Sequence, residues 1–172
     1  FLPLCHAFER IVAYIYLTAG VSVAFAESID TVGRDLQTVR PTVMTGVPRV
    51  FEKLRARIDE RSQAAPAPRR ALFNWASRLA VRRGWALTGG PALSSVGRLG
   101  VRVAERLVFA RVRAAVGGRL RFAVSGSAPL DETLAAFFHG VGLPILEGYG
   151  LTETSPVLTV MPLERVRLGT VG

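Results

Sequence analysis

Residues 147–156, EGYGLTETSP, place an aromatic ring on an unusually permissive stretch of backbone. Tyr149 stands between Gly148 and Gly150. Because glycine reaches dihedral angles that other residues avoid, these two positions predict unusual backbone conformations around the tyrosine. A ring held in this way could stack on the flat face of a base.

The same stretch continues with Thr152 and Glu153, a hydroxyl beside a carboxylate. The hydroxyl of Thr152 could donate a hydrogen bond to a phosphate oxygen. Glu153 could hold Mg²⁺, a hard cation that prefers oxygen ligands and often bridges to substrate phosphates. Ring, hydroxyl and carboxylate together predict a nucleotide phosphate site. A glycine-rich turn carrying a surface glutamate is the competing interpretation.

A second small-residue segment, SGSAPL over residues 125–130, follows a predicted strand. Its candidate ligand-binding residues are Gly126, Ser127, Ala128 and Pro129. The first of these would let the backbone approach a flat ligand closely, and the serine offers both a donor and an acceptor. Taken alone, the segment is more typical of an ordinary turn from a strand into a helix.

The chain has two histidines, and they differ in context. His6 lies between a predicted strand and a predicted helix, where it is either structural or a polar wall beside a reacting carboxylate. His139 falls at the predicted end of a helix, where a cation would favour the dipole, and it receives no chemical role. The sequence carries no Cys/His cluster for zinc, no GxxxxGK[ST] phosphate loop and no G-x-S-x-G serine elbow.

The elements that must position these groups alternate between strand and helix. Strands are predicted over 1–4, 21–26, 42–46, 120–126, 143–148 and 156–162. Helices are predicted over 7–18, 28–40, 49–62, 70–83, 96–116 and 131–139. This order indicates an α/β fold, a mainly parallel sheet with helices on both faces. Ligands bind at the carboxyl ends of such strands, so residues 4–10, 125–130 and 147–155 should share one crevice.

The bulk composition indicates a folded chain. Its 172 residues are 49% hydrophobic and 20% charged, and one cysteine, Cys5, permits no internal disulfide. We therefore expect a reducing, cytoplasmic environment. Residues 11–26 form a charge-free run of 16 residues, interrupted by Gly20 and shorter than the roughly 20 that span a membrane. A buried helix, a turn and a strand are predicted there instead.

Charge is distributed unevenly. Residues 49–121 hold 17 of the 22 basic residues and four of the 13 acidic ones, a net charge of +13 against −4 elsewhere. The simplest interpretation is solvated arginine faces on surface helices. Attraction to an anionic membrane or a polyanionic substrate is the alternative, with Arg78, Arg82 and Arg83 as candidate lipid contacts. Nucleic acid is disfavoured, because aromatic residues are not interleaved with the basic ones.

Together the segments resemble the adenylate-forming (AMP-binding) enzyme superfamily, and within it the long-chain fatty acyl-CoA synthetases. LPLCHAFER (2–10), VMTGVPRVFEKLRARI (43–58), RFAVSGSAPL (121–130), GYGLTETSP (148–156) and RLGTVG (167–172) match that family's motifs in order. The resemblance implies that the chain is the central part of the large N-terminal domain, with a basic helical segment at about 49–119. The first residue is Phe1, from which we expect an internal piece of a longer protein, and the resemblance implies that the lysine-bearing C-terminal domain is absent from it.

The resemblance also implies roles for individual residues. Tyr149 matches a residue packed against adenine, Thr152 a phosphate contact and Glu153 a Mg²⁺ ligand. Segment 126–128 matches the loop along the adenine. His6 matches a residue near the substrate carboxylate, and Gly148 in this sequence matches a position near the acyl pocket.

The implied activity is ATP-dependent activation of a fatty acid to acyl-AMP, followed by transfer to coenzyme A. A sister enzyme that loads acyl-AMP onto a carrier protein, or one acting on shorter or aromatic acids, is an alternative. A non-catalytic basic module on anionic membranes is another. The basic helical stretch resembles the long-chain type, which favours fatty acids, and the family works with ATP, Mg²⁺ and coenzyme A.

Overall fold

The computed structural model describes residues 6–172, so the strand predicted over 1–4 lies outside the described part. Its α-helices are α1 (Ala7–Thr18), α2 (Val32–Val39), α3 (Pro48–Gln63), α4 (Ala67–Leu87), α5 (Ser95–Ala104), α6 (Ala110–Ala115) and α7 (Glu132–Gly140). Its strands are β1 (Val43–Gly46), β2 (Phe122–Ser125), β3 (Ile145–Tyr149) and β4 (Thr159–Val160). A π-helical turn over Glu105–Phe109 joins α5 to α6.

The strands form one sheet in the order β1-β2-β3-β4. The first three are parallel, with Val43 paired to Phe122 and Ala123 paired to Ile145, and β4 returns antiparallel to β3. Parallel neighbours bring the carboxyl ends of β1, β2 and β3 to one edge. The mainly parallel α/β sheet predicted from the sequence is therefore confirmed.

Local sequence explains where several elements begin. Pro48 occupies the first turn of α3, where its missing N–H is not needed. The Asp131 side chain accepts a 2.7 Å hydrogen bond from the Leu134 N–H and caps α7. The Ser94 side chain likewise accepts from Gly97 N–H at the start of α5. These helices start within one residue of the predicted positions.

Helices α4 and α7 cross in very close contact. A β-carbon built on Gly84 would lie 1.9 Å from the carbonyl oxygen of Ala136, and one on Gly140 would lie 1.8 Å from that of Ala80. Both alanines are completely buried. Since α7 also contacts α3, the helices following β1 and β2 form one packed layer, whose core includes Phe51 and residues of α4, α6 and α7.

Two predicted elements differ from the structure. Residues 21–26 form no strand, because no described segment pairs with them; Val21 and Phe25 are exposed. Helix α1 has its predicted bounds but is not largely buried, since Tyr14, Ile15 and Leu17 face outward. The apolar side chains of α1 stay exposed because few of the described elements pack against them. No described helix is long and apolar enough to cross a bilayer.

Other elements shift at their ends. Helix α4 is longer than predicted, because Pro68 falls in its first turn, and the last strand shrinks to the two residues of β4.

His139 is buried, and its Nε2 lies 3.1 Å from the carbonyl oxygen of Ile145. Burial lowers the pKa of His139, which favours the neutral ring over the cation expected at a helix end.

Candidate functional site

A cleft of about 250 Å³ opens at the carboxyl edge of the parallel strands. It gathers three segments that are far apart in the chain, as the strand-end pattern predicts. Its lining comprises His6, Ala7, Phe8, Ser127, Gly148, Tyr149, Gly150, Leu151, Thr152, Glu153, Pro156 and Val157. Seven of these were predicted as site residues. Gly126, Ala128 and Pro129, also predicted, do not line this cleft.

The EGYGLTETSP segment turns between β3 and β4, and backbone hydrogen bonds hold both its ends. Leu158 N–H donates to the carbonyl of Tyr149, and Met161 N–H donates to that of Glu147, each at 2.9 Å. The sheet register therefore fixes where the Tyr149 ring can stand. That side chain is 47% exposed, so its ring has a face open to a ligand.

The glycines flanking Tyr149 act differently from the prediction. Neither Gly148 nor Gly150 has a backbone φ in the left-handed region. A β-carbon on Gly150 would instead fall 1.7 Å from the carbonyl oxygen of Pro156, whereas one on Gly148 would meet nothing closer than 3.6 Å. Gly150 is thus required by close backbone packing inside the loop. The prediction of unusual dihedrals was wrong.

Thr154 organises the turn that presents Thr152 and Glu153. Its Oγ1 accepts a hydrogen bond from Leu151 N–H at 3.1 Å and donates one to the Leu151 carbonyl at 2.9 Å. A 3₁₀ turn over Thr152–Thr154 results, followed by Ser155 at a φ of 62°. Positive φ is strained for serine, and such strain is often found at ligand sites.

The side chains of Thr152 and Glu153 are exposed and line the cleft. Within residues 6–172 no three acidic, histidine or cysteine side chains cluster as a metal site. A single carboxylate still fits Mg²⁺, since that ion keeps several waters and is often held by one or two carboxylates plus substrate phosphates. The donor set therefore suits a metal that arrives with a phosphate ligand.

The SGSAPL loop packs against α1 before it reaches the cleft. A β-carbon on Gly126 would lie 2.9 Å from the ring of Phe8, so the glycine allows the buried aromatic ring to approach the loop backbone. Gly126 N–H also donates to the carbonyl of Gly46 at 3.2 Å, which ties the end of β2 to β1. Ser127 follows with a φ of 72° and lines the cleft.

Glu147, at the start of the same motif, is only 6% exposed. Its Oε2 accepts a 3.2 Å hydrogen bond from the backbone N–H of Leu130. Burial raises the pKa of the Glu147 carboxyl, partly opposed by that hydrogen bond and assisted by nearby Glu132. The carboxyl joins β3 to the end of the SGSAPL loop and so couples two of the three segments.

His6 stands at the entrance to α1, in the residue immediately before the helix. Its side chain makes no capping hydrogen bond to the helix and lines the cleft instead. His6 thereby places an imidazole ring in the wall of the cleft. Its role beside a reacting carboxylate stays a prediction.

Sequence reasoning did not identify four residues that shape the site. Phe8 and Glu147 lie within quoted motifs, but their burial depends on contacts between distant segments. Thr154 could have been found, because threonine often hydrogen-bonds local backbone in turns. Pro156 contributes through its carbonyl oxygen under Gly150, which no sequence pattern reports.

This α/β protein has a cleft with several polar side chains at the carboxyl edge of its parallel strands, which is where proteins of this architecture bind ligands. The family model for the AMP-binding enzyme matches residues 1–172. The chain therefore belongs to the AMP-binding enzyme family.

Curated relatives are similar over the whole of this chain. It is 40% identical over 173 residues to the long-chain-fatty-acid–CoA ligase FadD15 of Mycobacterium bovis. It is 33% identical over 176 residues to fatty acyl-CoA synthetase A of Dictyostelium discoideum and 33% over 178 residues to long chain acyl-CoA synthetase 1 of Arabidopsis thaliana. The chain spans 28%, 24% and 26% of the length of these three relatives.

Proposed function

We propose that the protein containing this chain is a long-chain fatty acid–CoA ligase. The observation that carries the proposal is the cleft itself, which brings His6, Ser127 and the Tyr149–Glu153 turn together from three separate segments. Each offers a group suited to a nucleoside phosphate or a carboxylate. The names of the similar proteins support a fatty acid as the substrate that is activated.

In the proposed reaction a fatty acid carboxylate oxygen bonds to the α-phosphorus of ATP, and the bond from that phosphorus to the bridging oxygen breaks. Pyrophosphate leaves and acyl-AMP remains. The sulfur of coenzyme A then bonds to the acyl carbon, loses its proton, and AMP leaves. Neither half needs a protein nucleophile, so the residues of the cleft act by positioning and by stabilising charge.

Each part of the cleft has a task in this scheme. The exposed ring of Tyr149 stacks on adenine, and Ser127 lies beside it along the nucleotide. The hydroxyl of Thr152 donates to a phosphate oxygen. Glu153 would hold Mg²⁺, which would supply positive charge against the phosphates. His6 lies toward the incoming carboxylate. The remaining parts of the catalytic apparatus belong to chain outside these residues.

The test is carboxylate-dependent exchange of pyrophosphate into ATP by the full-length protein, across acids from acetate to palmitate. We expect exchange to peak with long acids. Glu153→Gln should lower it by about 100-fold or more, the scale for losing a group that stabilises transition-state charge. Glu164→Gln is the matched control, because Glu164 is an exposed acid in another 3₁₀ turn, outside the cleft.

The outcomes separate the alternatives. Exchange followed by thioester formation on adding coenzyme A supports the ligase, whereas exchange without thioester indicates an enzyme that loads acyl-AMP onto a carrier protein. A maximum with short or aromatic acids would contradict the long-chain assignment. No exchange from folded protein with Mg²⁺ present would overturn the proposal and favour the non-catalytic membrane module.

We further propose that the basic helical segment contacts anionic membrane peripherally. Helix α5 exposes Val96, Leu99 and Val103 along one line, the first with 82% of its surface accessible. Arg98, Arg102 and the following Arg106 recur every four residues beside that line. An exposed apolar ridge flanked by arginines is typical of a helix lying in the membrane interface.

The structure changes which arginines should be tested. Arg83, an earlier candidate, donates to the carbonyl of Gly140 at 3.0 Å and lies 3.5 Å from Glu105, so it is structural. We expect Arg102→Gln with Arg106→Gln to reduce sedimentation with phosphatidylglycerol vesicles. Arg119→Gln, at an exposed position in the loop before β2, is the control. Equal binding by both proteins would contradict this contact surface.

A further inference from the structure

A second and larger cleft, of about 720 Å³, lies between α2, α3, α4 and the π turn with α6. It shares no lining residue with the site cleft. Helix α3 begins at the carboxyl end of β1 and runs back across 16 residues, and its contribution to the lining starts at Leu54 and continues to Ser62 near its end. Val116 of the lining precedes β2. The larger cleft therefore faces the amino edge of the sheet, opposite the site.

The floor of the larger cleft is apolar and buried. It is formed by six buried side chains of the main hydrophobic core: Leu54, Ile58, Phe73, Val108, Val112 and Val116. Its volume is within the range of clefts that bind small molecules, about 300–1,000 Å³. The π turn contributes Leu107 and Val108, and such irregular turns occur frequently at functional sites.

The rim of the cleft carries an excess of positive charge. Five arginines belong to the lining, and Glu60 is its single acidic residue. Arg34 is paired with Glu27 and Asp35, and Arg57 donates to the carbonyl of Asp30.

The remaining three rim arginines are Arg61, Arg69 and Arg111. Across residues 6–172 no salt bridge neutralises any of them. Three guanidinium groups therefore line an apolar floor with Glu60 as the one acid beside them, which leaves an excess of positive charge that an anionic ligand would complete.

We propose that this cleft binds a single-chain anionic amphiphile. The tail lies on the apolar floor, and the carboxylate or phosphate head group binds Arg61, Arg69 and Arg111. A wholly apolar ligand would leave three cations unmatched, and a small anion would leave the floor wet. A flat bilayer cannot fill a concave cleft. The proposal stands independently of the proposed function, because the two clefts share no residue.

Photoaffinity labelling of the full-length protein tests the proposal, because mapping the label distinguishes the two clefts. The probes are hexadecanoic acid, lysophosphatidic acid and hexadecanol, each carrying a diazirine near the end of its chain. We expect the two anionic probes to label peptides of α3, α4 and α6, and the alcohol to label them far less. The ratio between acid and phosphate probes shows which head group is preferred.

Variants then assign the label to the rim. Arg61→Gln, Arg69→Gln and Arg111→Gln together should lower labelling of these peptides about tenfold or more, as expected when charge-assisted hydrogen bonds are lost. Arg119→Gln with Arg121→Gln is the matched control, since both arginines are exposed and outside the lining. Glu153→Gln should leave labelling of this cleft unchanged even if it abolishes exchange. A melting temperature for each variant verifies folding.

Three results would overturn the proposal. The first is absence of label from the cleft peptides in the unmodified protein, as would follow if another part of the longer chain covers the cleft. The second is equal labelling by hexadecanol, which would show that binding does not depend on an anionic head group. The third is undiminished labelling in the folded triple variant. None of them bears on the exchange reaction, so a failure here is distinct from a failure of the proposed ligase activity.

Discussion

At the residue scale, the loop that lines the cleft has no space for a side chain at Gly150. Gly150 packs beneath Pro156 so closely that a methyl group would overlap the carbonyl oxygen at 1.7 Å. Backbone cannot yield as a flexible side chain can. We therefore expect Gly150→Ala to displace the loop and destabilise the protein by about 1–3 kcal/mol, the cost of overpacking. Unfolding of the full-length protein in urea measures this.

Gly148→Ala is the matched comparison, because Gly148 lies two residues earlier in the same motif. Its added β-carbon would make ordinary contacts at 3.6 Å with β4. We expect a much smaller change in unfolding free energy. If the two variants were equally stable, the close approach of Gly150 to Pro156 would not constrain the loop.

Glu147 gives a second residue-scale prediction, which concerns pH. Burial raises the carboxyl pKa in the folded protein. Between the ordinary value and the raised one, the native state binds more protons than the unfolded state, so stability falls as pH rises. Glu147→Gln keeps an acceptor for Leu130 N–H and cannot ionise. We expect its stability relative to the parent to increase as pH rises through that window.

The measurement is the urea midpoint of both full-length proteins at pH values from 4 to 8, on a buffer series of constant ionic strength. Glu147→Ala is the contrasting variant, because it leaves the buried Leu130 N–H unpaired at a cost of about 1–3 kcal/mol. A difference between parent and Gln variant that is flat across pH would contradict the assignment of a raised pKa to Glu147.

At the element scale, the crossing of α4 and α7 fixes the helical layer. An α-hydrogen of Gly84 takes the place where a β-carbon would lie 1.9 Å from the Ala136 carbonyl oxygen, so no larger group fits there. Gly84→Ala should therefore destabilise the full-length protein by about 1–3 kcal/mol, despite the better helix propensity of alanine. Gly97→Ala on α5 should do the opposite. Its nearest contact is 3.4 Å, so propensity would stabilise it by about 0.5–1 kcal/mol.

Thermal unfolding of both variants measures this. We expect the melting temperature to fall for Gly84→Ala and to rise for Gly97→Ala, although the two substitutions are chemically identical. Loss of stability at Gly97 as large as at Gly84 would mean that the crossing is not specially tight. The result also bears on the site, because α7 leads directly into β3 and hence into the Tyr149 turn.

Elements that signal their own ends could be predicted from the sequence. Pro48 and Asp131 mark helix starts by local chemistry, and the strand-end pattern correctly brought His6, Ser127 and Tyr149 to one cleft. Segment 21–26 was mispredicted because a strand needs a neighbour, and pairing is not a local property. The roles of Gly150 and Glu147 depend on backbone from distant positions, so their residue types alone could not reveal them.

At the scale of the whole molecule, charge and apolar surface are both segregated. The basic residues lie on the helices between β1 and β2, which contain both the ridge of α5 and the arginine rim of the larger cleft. The site cleft lies at the other edge of the sheet. Negative substrates and a negative surface could thus be engaged at once without competing for the same residues.

The exposed apolar face of α1 gives the last prediction. Tyr14, Ile15 and Leu17 are each more than half exposed, and Val21 and Phe25 in the segment after α1 are exposed as well. Large exposed apolar surface usually marks an interface, and the chain matches only 28% of the length of the relative from Mycobacterium bovis. We expect the patch to be covered by other parts of the longer protein. The isolated 172 residues should then be prone to aggregate and inactive in turnover.

The double variant Ile15→Ser with Leu17→Ser tests this, because it should improve the isolated chain and destabilise the full-length protein. In the isolated 172-residue chain the variant should be more soluble, because it removes apolar surface from water. In the full-length protein it should lower the unfolding free energy by about 2 kcal/mol or more, since burying polar groups costs free energy where leucine and isoleucine were packed. A neutral effect in the full-length protein would show that the α1 face stays open there, and would make it a candidate surface for a separate partner.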